Sequence, residues 1–187
     1  MGTLKTTNIE SISGSGTVTL GTSGETFTAA TGVTISGGLA NTPSFRAYMN
    51  ATQTVNDVTN TVVAYNTESF DTDSAYNNST YRFTVPSGKA GKYFFSAQAY
   101  IFQSGATLYS ADFQIRKNGT NQSADSLGLD SSDNYSYIIK TNTILDLAVS
   151  DYIDVNIQGN TNDGGTFSVF TASPYQFGVF QGYKLIG

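Results

Sequence analysis

The chain has 187 residues and a formal net charge of −5, and only 12% of its residues are charged. Its 12 Tyr and 12 Phe come with no Cys, no His and no Trp. Those absences exclude Ser-His-Asp and Cys-His nucleophile pairs, zinc sites of the usual ligand types and iron–sulfur clusters. The negative charge argues against nucleic acid as a partner, and no apolar run approaches the roughly 20 residues of a membrane span.

The first 42 residues differ from the rest, because they contain one Phe and no Tyr. Three short alternating runs lie between glycines in this segment, at residues 17–20, 25–28 and 33–36. Strands this short bury too little apolar surface in a single chain to offset their ordering entropy. The segment is therefore either a flexible tether or a shaft completed by parallel copies of the chain. The regular spacing favours the shaft, and we predict a short Gly/Ser/Thr-rich β stalk over residues 1–42.

From Pro43 onward, longer alternating runs predict strands, with no helical period. Residues 92–103 are apolar on both faces, which is typical of a central strand, and Asn118-Gly119 predicts a hairpin turn. The predicted runs are 45–50, 61–66, 80–85, 92–103, 111–117, 135–147, 151–158, 166–172 and 175–186. We therefore expect an all-β domain over 43–187, an antiparallel sandwich or jelly roll of about ten strands.

Several of these runs resemble the globular head of complement component 1q. They include Tyr81-Arg82-Phe83-Thr84-Val85-Pro86, Gly91-Lys92-Tyr93-Phe94-Phe95-Ser96-Ala97, Phe113-Gln114-Ile115-Arg116-Lys117-Asn118-Gly119, Asp151-Tyr152-Ile153-Asp154-Val155 and Phe180-Gln181-Gly182-Tyr183-Lys184-Leu185-Ile186. The resemblance implies a trimeric jelly roll of the tumour-necrosis-factor type, and hence a homotrimer. One departure is Ser150, which stands where that family prefers glycine before the aspartate.

The leader resembles those of small virion proteins from marine cyanobacterial phages. The residues concerned are Leu4-Lys5-Thr6-Thr7-Asn8-Ile9 and the glycine-rich run 13–21. The resemblance implies a virion location, with the leader attached to other virion proteins and the knob facing outward.

Four tyrosines next to Asn, Ser or Asp are candidates for glycan binding, on the expectation that they are exposed in turns. They are Tyr76, Tyr109, Tyr135 and Tyr137. Aromatic rings stack on sugar faces while amides and carboxylates bind hydroxyls. The alternative is that these rings fill strand ends and the subunit interface.

Asp125, Asp130 and Asp133 fall in what we predict to be a Ser-rich loop, where their oxygens would suit calcium. Their spacing matches no known calcium loop, so solvated turn-capping carboxylates are the favoured interpretation and no cofactor is expected. No catalytic motif is present in the sequence. We therefore expect a non-enzymatic phage fibre or decoration spike whose trimeric knob contacts host surface glycan. The alternatives are a purely particle-stabilising protein and a carboxylate-dependent glycan hydrolase.

Overall fold

The computed structural model describes residues 41–103, 107–129, 136–172 and 174–185. Residues 1–40, and with them nearly all of the predicted stalk, lie outside this part of the chain. The described residues form strands and connections, and they include no helix that is long and apolar enough to cross a membrane.

Thirteen strands form in the described residues, which confirms the all-β prediction and exceeds the expected ten. They are β1 Ser44–Tyr48, β2 Gln53–Asn56, β3 Thr61–Val62, β4 Thr67–Asp71, β5 Tyr76–Asn77, β6 Arg82–Thr84, β7 Gly91–Phe102, β8 Leu108–Lys117, β9 Thr120–Gly128, β10 Ser136–Leu147, β11 Tyr152–Thr161, β12 Thr166–Val169 and β13 Val179–Lys184.

The strands make two antiparallel sheets that pack as a sandwich. The seven-stranded sheet runs β2-β12-β7-β13-β1-β4, with β10 on the free edge of β7. The six-stranded sheet runs β5-β6-β11-β8-β9, with β3 also paired to β11. Neighbours in each sheet are mostly distant in sequence, so non-local pairing holds the sandwich together.

β7 is the central strand that its sequence predicts. One edge pairs with β10 along the whole strand, from Gly91↔Leu147 to Phe102↔Ser136. The other edge pairs with β13 and then with β12. Every second side chain of β7, from Tyr93 to Ile101, is buried against the other sheet. The alternate set faces outward and is only partly covered; it combines the rings of Phe94, Tyr100 and Phe102 with the polar side chains of Lys92, Ser96 and Gln98.

Stacked aromatic rings fill the space between the two sheets. Phe45 stacks on Tyr76 and on Phe83, with centroids 5.0 and 5.1 Å apart, and meets Phe180 edge-on at 4.9 Å. Phe95 joins the same group through Phe83 at 5.5 Å. Such pairs add to the free energy gained by burying their area, and they explain why the aromatic residues begin where the sandwich begins.

Gly182 lies in β13 directly opposite Phe95 of β7. A Cβ atom at Gly182 would come within 2.5 Å of Phe95 Cδ1 and 2.9 Å of the Phe94 carbonyl oxygen. The register through Gly182 is regular on both sides, so the glycine makes room for an aromatic ring and does not mark a bulge.

The predicted hairpin at Asn118-Gly119 is present, with positive φ angles of 51° and 80°. The strand that follows it, β9, was missed by the sequence analysis. Its side chains are mostly exposed, since among the described strands it is an edge strand that forms a ladder with β8 alone. A polar edge strand lacks the apolar alternation by which strands are recognised in sequence.

Several predicted runs are shorter in the structure than the sequence predicts. The strand expected over 175–186 begins only at Val179, and residues 174–178 form part of a loop instead. The run expected over 61–66 keeps only Thr61–Val62 as a strand. The loop matters for function, because it closes one side of a cleft.

Candidate functional site

The prediction that Tyr76 is exposed in a turn is wrong. Tyr76 lies in β5 with only 6% of its surface exposed, and its hydroxyl donates a hydrogen bond to the Tyr65 carbonyl oxygen at 2.8 Å. Burial, with a smaller contribution from the charge of Glu68, raises the pKa of Tyr76 well above its usual range. The residue is part of the core and cannot stack on a ligand.

The other three candidate tyrosines do not form one site in the described residues. Tyr109 is 42% exposed but lies in strand β8 of the six-stranded sheet. Tyr137 is half-buried in β10, which belongs to the seven-stranded sheet. Tyr135 lies outside the described residues. A glycan-binding role for Tyr109, Tyr135 and Tyr137 stays a prediction.

The structure also differs from the prediction of an acidic loop that could bind calcium. Asp125 lies in strand β9, so its expected place in a loop is wrong, while Asp130 and Asp133 lie outside the described residues. Asp125 is exposed, and the Lys140 amide approaches its Oδ2 at 3.4 Å. Within the described ranges no group of three or more acidic side chains could hold a metal ion.

The most buried carboxylate belongs to Asp154, at the centre of the six-stranded sheet. It is completely buried and accepts hydrogen bonds from Arg116 Nε at 2.8 Å and Arg82 Nε at 3.2 Å. The Arg82 guanidinium lies 4.1 Å from the centroid of the Tyr152 ring. Both carboxylate oxygens are therefore occupied by structural partners, which leaves neither for acid–base chemistry.

Asp151 is likewise engaged in structure. Its carboxylate accepts hydrogen bonds from Asn118 Nδ2 at 2.7 Å and the Ala148 amide at 2.8 Å, and it pairs with Lys117 Nζ at 2.8 Å. The hydrogen bond from Lys117, followed by the one from Asn118, makes the largest contribution to lowering the pKa of Asp151 to about 2. A carboxylate with such a low pKa is a poor general acid or base near neutral pH.

The outer face of the seven-stranded sheet carries an exposed apolar row, formed by three side chains at neighbouring positions on adjacent strands. Phe94 of β7 lies opposite Tyr183 of β13 on one side and Ile144 of β10 on the other. Ile144 is 60% exposed and Tyr183 is 39% exposed. Further along the same two strands, Ile138 lies opposite Tyr100 and is 51% exposed. We call this surface, with Phe102, the apolar face.

A cleft of about 500 Å³ opens where β1 ends and the 171–176 loop begins. All of its lining residues are uncharged, and they include Tyr48 and Asn50 on one side and Thr171, Tyr175 and Gln176 on the other. Tyr175 is the most exposed large apolar residue of the described chain, at 64%. The sequence analysis missed this site because it took Tyr175 for the start of a strand. Ser-Pro immediately before Tyr175 is the signal that could have indicated a loop.

Comparison with known proteins finds a similar solved structure but no matching sequence family. No family model matches the chain, and no curated protein matches it in sequence. One solved structure that is similar is the globular domain of zebrafish complement 1qA protein, which is 16% identical. The match covers 76% of this chain and 97% of that chain, with a TM-score of 0.49.

Proposed function

We propose that this chain is a non-enzymatic structural protein of a virion. In this proposal its sandwich forms a homotrimeric knob, a stalk over residues 1–42 attaches it to other virion proteins, and the knob contacts host surface glycan. The main structural observation in support of this proposal is the apolar face of the seven-stranded sheet.

Self-association is supported by the chemistry of that face. Ile144 and Tyr183 are exposed on either side of Phe94, and Ile138 and Phe102 are exposed further along the same face, beyond Lys140 and Asn142. Single exposed apolar residues are normal, whereas clustered ones on one sheet face are typical of a surface that binds protein. β1, β7 and β13, which we expect near the three-fold axis, all belong to this sheet.

A non-enzymatic role is supported by the state of the carboxylates. The sequence has no His and no Cys, so acid–base chemistry would depend mainly on Asp and Glu. In the described residues, Asp154 and Asp151 are held by cations and amides in structural contacts. The virion location has only the resemblance of the leader to support it.

Oligomeric state tests the core of the proposal. We expect light scattering of the full-length protein to give three times the chain mass. Ile144→Asp places a charge in the apolar row and should give monomers. Val149→Asp is the matched control, because Val149 is 45% exposed but lies in the turn after β10 and not in a strand of the sheet. A wild-type monomer, or dissociation by both variants alike, would refute the proposed interface.

Three further experiments separate the roles. Electron microscopy of intact particles labelled with an antibody against the chain tests the virion location. Binding of the full-length protein to susceptible cells separates host contact from pure particle stabilisation, which predicts no binding. A glycan depolymerisation assay with the same protein tests the hydrolase alternative, and we expect no release of sugar.

A further inference from the structure

The cleft beside β1 has the size and lining of a small-molecule site. Its volume of about 500 Å³ lies within the range of roughly 300–1,000 Å³ that is usual for ligand pockets. It combines two tyrosines with side-chain amides and a threonine hydroxyl, and no charged residue lines it. This combination fits a neutral ligand that has both an apolar face and many hydroxyl groups.

The exposed ring of Tyr175 is supported from below by further rings. It stacks on Phe177 with centroids 5.5 Å apart, and Phe177 stacks on Tyr100 of β7 at 5.0 Å. The Phe177 carbonyl oxygen also accepts a hydrogen bond from Gln98 Nε2 at 2.9 Å. The aromatic platform is therefore fixed to the central strand before any ligand arrives, which lowers the entropic cost of binding.

Backbone contacts hold the two walls of the cleft together. The Tyr175 amide donates to the Ala172 carbonyl oxygen at 2.7 Å, and the Met49 amide donates to the Gly178 carbonyl oxygen at 3.1 Å. The Thr171 hydroxyl lies 3.3 Å from the Met49 carbonyl oxygen. Thr171 and Gly178 are thereby tied to Met49, which directly follows β1, while the Tyr175–Ala172 bond fixes one wall internally.

The polar groups of the cleft are oriented and still able to bind. Gln176 Oε1 accepts a hydrogen bond from Arg46 Nη1 at 2.7 Å, and this fixes the amide while Nε2 keeps no partner among the described residues. The Asn50 amide side chain is exposed at the opposite wall and likewise has no hydrogen-bond partner in the described part of the chain. Each amide can exchange hydrogen bonds with a vicinal pair of hydroxyls.

We propose that this cleft binds a neutral sugar ring, which stacks on Tyr175 and hydrogen-bonds to Asn50 and Gln176. The inference rests on the glycan contact of the proposed function and assigns that contact a site. Acidic sugars are disfavoured, because no lining residue is charged and Nη1 of the nearby Arg46 already donates to Gln176 Oε1 and to Ser69 Oγ. The site belongs to each protomer, so a trimer would present three copies.

The chain supplies its own reporter for the test, because it contains only two methionines, Met1 and Met49, and Met49 lines the cleft. The full-length protein is labelled at the methionine methyl groups and titrated with methyl glucoside, methyl galactoside and N-acetylglucosamine. Met49→Leu identifies the Met49 signal. We expect at least one of these sugars to shift the Met49 signal in a saturable way and to leave that of Met1 unchanged.

Variants at Tyr175 test whether its ring is the surface on which the sugar stacks. Tyr175→Ala should weaken binding by about tenfold or more, since the stacking surface is lost, whereas Tyr175→Phe keeps the ring and should bind like the wild type. Val149→Ala, at an exposed residue of the turn between β10 and β11, is the control and should change nothing. Melting curves establish that Tyr175→Ala still folds. No Met49 shift with any of the three sugars, or equal shifts in wild type and Tyr175→Ala, would overturn the inference.

Cell binding distinguishes this inference from the proposed function. If the wild-type protein and Tyr175→Ala bind susceptible cells equally well, the cleft is not the glycan site. The proposed contact with the host is then still supported. If sugars shift Met49 but the protein binds no cells, the cleft is a sugar site and the proposed host contact fails.

Discussion

Gly182 and Phe95 illustrate how one missing side chain makes room for a neighbouring ring. Phe95 is fully buried, and its ring occupies the space that a Cβ atom of Gly182 would need. The Phe94 carbonyl oxygen closes the same space from the backbone, and it cannot rotate away as a side chain could.

Gly182→Ala should therefore destabilise the sandwich by about 1–3 kcal/mol, since the added methyl must displace the Phe95 ring or the β7 backbone. Gly128→Ala is the matched control, because a Cβ atom there meets nothing within 4 Å. Chemical denaturation of both variants measures the difference. If Gly182→Ala and Gly128→Ala have equal free energies of unfolding, β13 and β7 must lie further apart than they do in the structure.

Ser150 adopts a backbone conformation that suits glycine. Its φ angle is +70°, and its amide donates a hydrogen bond to the Val85 carbonyl oxygen at 3.0 Å. This conformation gives a physical reason for the glycine preference that the resemblance implies at this position.

Ser150→Gly should raise the free energy of unfolding by about 0.5–1 kcal/mol. The left-handed conformation costs a non-glycine residue roughly 1–2 kcal/mol, and the greater freedom of glycine in the unfolded chain offsets part of that gain. Ser150→Ala keeps the strain and should show no increase in melting temperature. A destabilised Ser150→Gly would show that the serine side chain contributes more than the structure indicates.

Among individual residues, the sequence predicts burial better than exposure. The apolar run 92–103 correctly predicts a central strand, and Tyr93 and Phe95 within it are fully buried. Tyr76 was instead expected at the surface because polar residues neighbour it in sequence. Those polar neighbours instead bind the backbone of the turn, as when Asp71 Oδ2 accepts the Tyr76 amide.

Between elements, Asp151 joins two turns that are distant in sequence. It lies in the turn between β10 and β11, and its partners Lys117 and Asn118 lie at the turn between β8 and β9. Asn118 also accepts the Tyr152 amide through Oδ1 at 2.9 Å. One carboxylate thus fixes the end of the six-stranded sheet.

This link predicts a dependence of stability on pH. The hydrogen bonds from Lys117 and Asn118 hold the pKa of Asp151 at about 2 in the folded chain, below the ordinary value of 3.8. The ionised form is therefore favoured by folding, so its contribution is full above about pH 4 and falls as the pH drops towards 2.

Asp151→Asn should lower the free energy of unfolding at pH 7 by about 1 kcal/mol, because the pair is partly exposed to solvent. The gap between the variant and the wild type should narrow as the pH approaches 2. Denaturation curves at both pH values measure this, and a gap independent of pH would exclude an electrostatic origin.

For whole strands, the sequence predicts the central elements and misses the peripheral ones. β7 and β11 are recognisable because both are buried and long. β2, β4 and β9 carry polar or exposed side chains, so local pattern does not distinguish them from loops. The cleft could not be predicted either, because its walls come from residues more than 100 positions apart that are brought together by the pairing of β1 with β13 and by tertiary hydrogen bonds.

For the molecule as a whole, the proposed trimer makes stability depend on concentration. Folding coupled to association is favoured by mass action, so the melting temperature of the full-length protein should rise with protein concentration. Ile144→Asp should melt at a lower temperature that does not change with dilution. Calorimetry over a wide concentration range tests this, and a wild-type melting temperature that stays constant would contradict an obligate trimer.

The position of β13 has a consequence for the making of the protein. β13 lies between β1 and β7 in the middle of the seven-stranded sheet, although its residues come last among the thirteen strands. A nascent chain that has emerged only as far as β12 holds β1 and β7 with the strand between them still missing. The sandwich therefore cannot close during most of its translation. Its aromatic residues stay exposed until Lys184 has left the ribosome. For that interval the chain is open to aggregation, since apolar surface and unpaired strand edges are exposed together.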